Sequence, residues 1–128
     1  MNDIEIAPPS VVLQAAADFS YALTETVEYK SFERADDFLR KDMHAQQALS
    51  EFQKKWKSSE ALMRLNALGI EEQQELERLR QAYITKPSVV AYVQAQADLV
   101  ELCRVAGNSI SQATGLNYAA VCSSGCCG

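Results

Sequence analysis

The chain has little of what catalysis needs. One histidine, His44, stands alone among 128 residues. A ligand role would want a second imidazole or a carboxylate at helical spacing. The residue three positions earlier is Lys41, so the Glu-x-x-His pattern of carboxylate-bridged metal bundles is absent. An exposed or capping place near a helix start suits it better. The serines and cysteines have no set of histidine partners, and no glycine-rich phosphate loop is present. The paired carboxylates Asp36-Asp37 and Glu71-Glu72 are sequence neighbours, and adjacent helical residues do not face each other as an acid/base dyad would. The chain does not read as an enzyme, and no small-molecule substrate is implied.

Other absences narrow the class further. No apolar run approaches the roughly 20 residues a membrane span requires. The opening Met1-Asn2-Asp3-Ile4-Glu5-Ile6 is acidic and lacks the basic and apolar regions of a signal peptide, so a cytoplasmic protein is expected. In that compartment four cysteines are thiols or metal ligands before they are structural disulfides. With Gly125 four from the end, no prenylation signal is expected. A surplus of cations is missing too. The formal charge of −5 argues against direct nucleic-acid binding, though not against action on RNA through a partner. Lys54-Lys55-Trp56-Lys57 could hold a phosphate and stack a base, but its spacing places Trp56 on an apolar seam and the lysines on solvated flanks.

What is present is helical periodicity. Pro8-Pro9-Ser10 is a helix start, and Val12, Ala16, Phe19, Leu23 and Thr26 or Val27 fall on one stripe, predicting a helix over about 10–29. Ser31 reads as the cap of a short helix reaching about Arg40, with Phe32, Ala35 and Leu39 on one face. Asp42 can cap the next, in which Ala45, Leu49, Phe52, Trp56, Ser59 and Met63 repeat at four-three spacing until Asn66 to Gly69, the glycine suiting a left-handed stop. Glu71-Glu72 opens another helix with Leu76, Leu79 and Tyr83 as its apolar face. Pro87 starts the last, which stops at Gly115. There Tyr92, Gln96, Leu99, Cys103, Ala106, Ile110 and Ala113 form a seam, with Cys103 as a small buried hydrophobe. No alternation suggests a strand. The expectation is an all-α antiparallel bundle of four to five helices with a long C-terminal helix. Residues 1–9 would be an arm, 10–114 the bundle and 115–128 a flexible cysteine-rich tail.

That tail carries the chemistry. Cys122, Cys126 and Cys127 place three thiols within six residues, separated by serines and a glycine. Thiolates are the preferred ligands of soft metals and iron–sulfur clusters, and glycine lets a backbone wrap around one. The C-x3-C-C spacing is not that of a standard zinc finger, and a reduced tail that oxidises in air is the plain alternative. Three ligands are one short of a closed site; Cys103 or another chain could supply the fourth. A disulfide between Cys126 and Cys127 is a poor default, because adjacent cysteines close a strained ring.

Together these stretches resemble the YlbF/YmcA family of small helical bacterial regulators. The likeness runs from about Val12 to Gly115. It rests on Phe32-Glu33-Arg34-Ala35 through Leu39 and Asp42, on Ala45-Gln46 with Leu49 and Phe52, and on Pro87 through Gln96 followed by Leu99 and Leu102. The resemblance implies an all-α protein that self-associates or joins related subunits. It also implies work with a YaaT-like protein on RNA processing by the membrane-anchored endoribonuclease RNase Y, affecting competence, sporulation and biofilm formation. Members of that complex carry 4Fe-4S clusters held by cysteines, which gives Cys122, Cys126 and Cys127 a concrete role as ligands. The leading expectation is therefore a non-enzymatic regulatory adaptor. The competing one is a structural helical oligomer whose tail is a free-thiol or zinc handle unrelated to RNA.

Overall fold

The computed structural model describes residues 6–118 and 120. Among them the chain forms five α-helices: α1 (Pro9–Thr24), α2 (Val27–Lys41), α3 (Met43–Arg64), α4 (Ile70–Ile84) and α5 (Pro87–Thr114). The all-α class, the number of helices and the long last helix agree with the sequence pattern.

The breaks have local causes. Asp42 leaves the helical region at ψ 94° and its Oδ1 accepts from the backbone N–H groups of His44 and Ala45, at 3.1 and 3.2 Å, so one side chain ends α2 and starts α3. Gly115, at φ 72°, gives α5 its left-handed stop. Two boundaries differ from expectation. The first stripe is cut at Glu25 and Thr26, because the Thr26 hydroxyl donates to the Leu23 carbonyl and accepts the Tyr29 N–H, turning the chain between α1 and α2. Ser31 consequently lies inside α2 and caps nothing; its Oγ accepts from Arg34. After α3 it is Asn66, not Gly69, that takes the left-handed angle, at φ 52°, while Gly69 is the extended residue preceding α4.

Packing is dominated by two pairs, α2 against α5 and α3 against α4. They share one antiparallel register. Val27 and Val105 line the same groove, Ala35 and Ala95 another, Asp42 meets Ser88, and Lys55 lies near Glu75. In each couple the residue numbers sum to about 130. The molecule is thus one long helical hairpin, bent at Asp42 on one arm and at Thr85-Lys86 on the other. Small residues permit the close approach. Ala35, Ala45, Ala48, Ala95, Ser59 and Ser88 are buried, and Leu76, Leu79 and Val89 are the only larger buried side chains among the described residues.

A two-layer hairpin has little interior. The chain exposes 10,105 Å², whereas a compact monomer of this mass exposes roughly 6,700 Å². Discounting the residues outside the described range at the extended-chain limit, about 160 Å² each, still leaves an excess on the order of 1,000 Å². Much of it is apolar, and α1 contributes heavily. No residue of α1 is buried, and its principal contact is with α2.

Candidate functional site

The tail residues Cys122, Cys126 and Cys127 lie outside the described residues. Cys103 does not, and its place corrects the expectation of a buried seam cysteine: its thiol is exposed. The reason is a rotated seam. The face of α5 that meets α2 carries Ser88, Val89, Tyr92, Ala95, Leu99, Leu102 and Ala106, whereas Gln96, Cys103, Ile110 and Ala113 are exposed. Tyr92, common to the expected and the observed face, packs its ring on Phe32 of α2, with centroids 5.3 Å apart. Among the described residues no three His, Cys, Asp or Glu side chains converge as a metal site.

The basic segment on α3 separates into two environments. Lys54 and Lys57 are exposed as expected and Lys55 is half-buried. Trp56 is less covered than a seam residue should be, at 47 % exposure, and rests on Phe52 with ring centroids 5.9 Å apart. Arg80 lines the same shallow depression but is paired with Glu77 at 2.9 Å. His44 is exposed in the first turn of α3, where its backbone N–H is what Asp42 engages. The adjacent acids are divided between neighbours, Asp36 with Arg40 at 2.6 Å and Asp37 with Lys41 at 2.8 Å, so no acid/base dyad forms there.

Two features were not legible as sites in the sequence. The first is the junction at the hairpin's bend. Ser88, fully buried in the first turn of α5, donates from Oγ to Asp42 Oδ2 at 2.6 Å. Asp42 therefore caps α3 with one oxygen and clamps α5 with the other. The Ser88 hydrogen bond, then the Ala45 N–H, hold its carboxyl below the usual carboxylate range, against the opposing effect of desolvation. The second is a groove between α2 and α5, next to the α1–α2 corner. Val27, Leu102 and Val105 give it an apolar floor, with Glu28, Asp98 and Glu101 at its rim. Arg104 forms a two-pronged hydrogen bond to Glu101, at 2.6 and 2.8 Å, which lowers the Glu101 pKa.

The groove continues onto an overhang. By the hairpin register α2 begins opposite Val105; in the last turns of α5 Ile110 is exposed, as is Val105, while Ala106, Gly107 and Ser111 are half-buried. On the other side of the corner, α1 presents Val12, Ala16 and Phe19 to solvent, with Leu23 half-covered. Such an arrangement suits binding to helices. It offers no enclosed pocket of converging polar groups.

A family model described as control of competence regulator ComK, YlbF/YmcA, matches residues 12–113. No curated protein and no solved structure matches the chain. No helix among the described residues is long and apolar enough to cross a membrane.

Proposed function

The chain belongs to the YlbF/YmcA family of competence regulators, and from that premise we propose that it acts as a non-enzymatic adaptor, assembling with itself or with related helical subunits to modulate RNA processing or gene expression. The observation that carries the reading is the bare apolar surface of α1 and the α5 overhang. A helix with no buried residue and one charged residue, Asp18, in sixteen has no reason to stay folded in water unless something covers it. A YaaT-like subunit and, through it, RNase Y fit a surface that recognises protein, because the chain's acidic balance leaves contact with the RNA itself to others.

The second half of the proposal is an iron–sulfur cluster of the 4Fe-4S type. Its donor chemistry suits the chain: Cys122, Cys126 and Cys127 supply three thiolates, and exposed Cys103 or a thiolate of another subunit completes four. When bound, the cluster would supply an oxidation-sensitive cross-link among these thiolates. Cysteines on the tail would hold it, and the helices would carry the partner surface. Anything bound only by the assembled form stabilises that form by mass action.

The test is anaerobic purification of the full chain, with iron and acid-labile sulfide counted and the visible spectrum recorded, beside Cys122→Ser and Cys103→Ser. Matched iron and sulfide that disappear in Cys122→Ser support the cluster. Loss in Cys103→Ser as well would assign the fourth ligand to α5. A colourless chain carrying zinc or nothing, indifferent to Cys122→Ser, would leave a structural helical oligomer with a thiol handle.

A further inference from the structure

We infer that the flank of the α3–α4 arm, where Phe52 and Trp56 floor a shallow groove, is a docking site for an acidic amphipathic helix of another protein. The groove lies on the far arm from α1 and the α5 overhang, and it gives the adaptor a second face.

The arm is a two-helix layer in which α3 and α4 pack chiefly on each other. Such a layer buries one line of contact, here Ser59, Leu76 and Leu79, and leaves its flanks open. On one flank Phe52, Gln53 and Trp56 of α3 and Arg80 of α4 line the groove, whose floor is almost wholly apolar. Trp56 is the chain's only tryptophan, and nearly half of its surface meets water while its indole rests on Phe52. Exposed aromatic anchors of this kind carry much of the energy of protein interfaces. A groove between two antiparallel helices takes a third helix, ridges into grooves.

Charge selects which helix. Every Lys and Arg of α2, α4 and α5 is bonded to a carboxylate or, for Arg34, to a serine hydroxyl. None of the four cations of α3, Lys54, Lys55, Lys57 and Arg64, forms an ion pair among the described residues. Lys57 and Arg64 are exposed and share one edge of α3 with Gln53, beside Trp56. In a chain of net charge −5 carboxylates are plentiful, yet none meets these two. Glu60, within one turn of each, bonds neither. Unpaired cations at the rim of an apolar groove are complementary to carboxylates brought by a partner. A nucleic-acid strand is a weaker occupant, because its unbroken run of phosphates along this edge would cross Glu60. A helix delivers its charges singly, with an apolar residue between them to cover Trp56. The location leaves the other face clear. Trp56 lies about 21 Å of helix beyond the bend at Asp42, while Val27 and its groove lie about as far on the other side.

The experiment uses the full chain and a synthetic acidic peptide whose leucines recur at three-four spacing between glutamates. Trp56 is the reporter: as the single tryptophan, its emission and its quenching by acrylamide read this groove alone. Saturable shielding of Trp56 is expected. Reversing charge with Lys57→Glu and Arg64→Glu together, at exposed positions, is expected to weaken binding roughly tenfold or more while circular dichroism is unchanged. Ionic strength near 1 M, where the screening length is about 3 Å, is expected to weaken the wild type more than that double variant. A peptide of the same composition with its leucines scrambled is expected to leave Trp56 open. The inference is overturned by a peptide that never shields Trp56, or by shielding indifferent to the charge reversal. Equal shielding by the scrambled peptide overturns it as charge alone, and stronger shielding by a single-stranded oligonucleotide overturns it in favour of nucleic acid. Trp56 already shielded from acrylamide in the chain alone overturns it by showing the groove covered by another copy. The iron count and assembly through α1 are read separately, so the adaptor reading and this site stand or fall independently.

Discussion

α1 and α5 begin alike and end in opposite circumstances. Each has proline in its first turn and no side-chain cap, and each carries few charges for its length. Yet α5 buries Ser88, Val89 and Ala95, while α1 buries nothing. The difference is not in helical periodicity, which both have. It lies in what the register puts alongside. α2 covers the first two thirds of α5, and α1 has left the hairpin at Thr26 before it can be covered. Periodicity says which residues share a face; which element covers that face is a separate matter.

The comparison breaks most readily at α5. Val89→Ala removes two methyl groups from a site 4 % exposed, and about 2 kcal/mol of unfolding free energy is expected to go with them. Urea unfolding at fixed protein concentration reads this directly. A loss near zero would mean that α5 is as loosely held as α1.

A smaller effect sharpens the comparison at the bend. Ser88→Ala leaves Asp42 without its hydroxyl donor, and a modest loss of stability is expected at neutral pH, as for a part-buried hydrogen bond to a charged group. The sign of its pH dependence follows from the depressed Asp42 pKa. A carboxyl that titrates lower in the folded chain than in the unfolded one contributes stability above the unfolded value, near 3.8, and loses it as the pH falls through the folded value. The gap between wild type and Ser88→Ala should therefore be full at neutral pH and narrow below about pH 4. Unfolding midpoints over pH 3 to 7 for both proteins, with Asp42→Asn as the third corner of a cycle, measure it. A gap that is constant with pH would reduce Ser88 to a small residue filling space.

These elements also mark how far the sequence could be read. Asp42 was legible because a capping aspartate acts within its own turn, and Pro87 and Gly115 because proline and glycine restrict or free the backbone locally. The apolar face of α4 was legible because Leu76 and Leu79 are large and few alternatives compete with them. The α5 seam was not. In a run rich in alanine and valine, two faces offset by a single residue look equally apolar, and the choice falls to packing against α2, where Ser88, Val89 and Ala95 are buried. That is why spacing alone puts Cys103 inside, whereas its thiol is exposed. The break at Thr26 was missed because threonine is tolerated within helices, and only the Tyr29 N–H shows that it caps. The Asp42–Ser88 clamp joins residues 46 apart in sequence, beyond what any spacing rule reaches.

The smallest expected effect bears most directly on the comparison. Val12→Ala makes the same chemical change in α1 that Val89→Ala makes in α5, at a side chain 64 % exposed. In a dilute solution of separate chains it should cost less than about 0.5 kcal/mol, as surface substitutions do. The valine matters only when a second chain covers it, so the cost should grow as protein concentration rises and association becomes linked to unfolding. Urea midpoints for wild type and Val12→Ala, measured at concentrations below and above the association range, test this as a difference that opens with concentration. Equal and substantial costs at both ends would mean that α1 is already packed within its own chain, and the contrast with α5 would vanish. A difference that opens only at high concentration would place the missing part of the core in the partner.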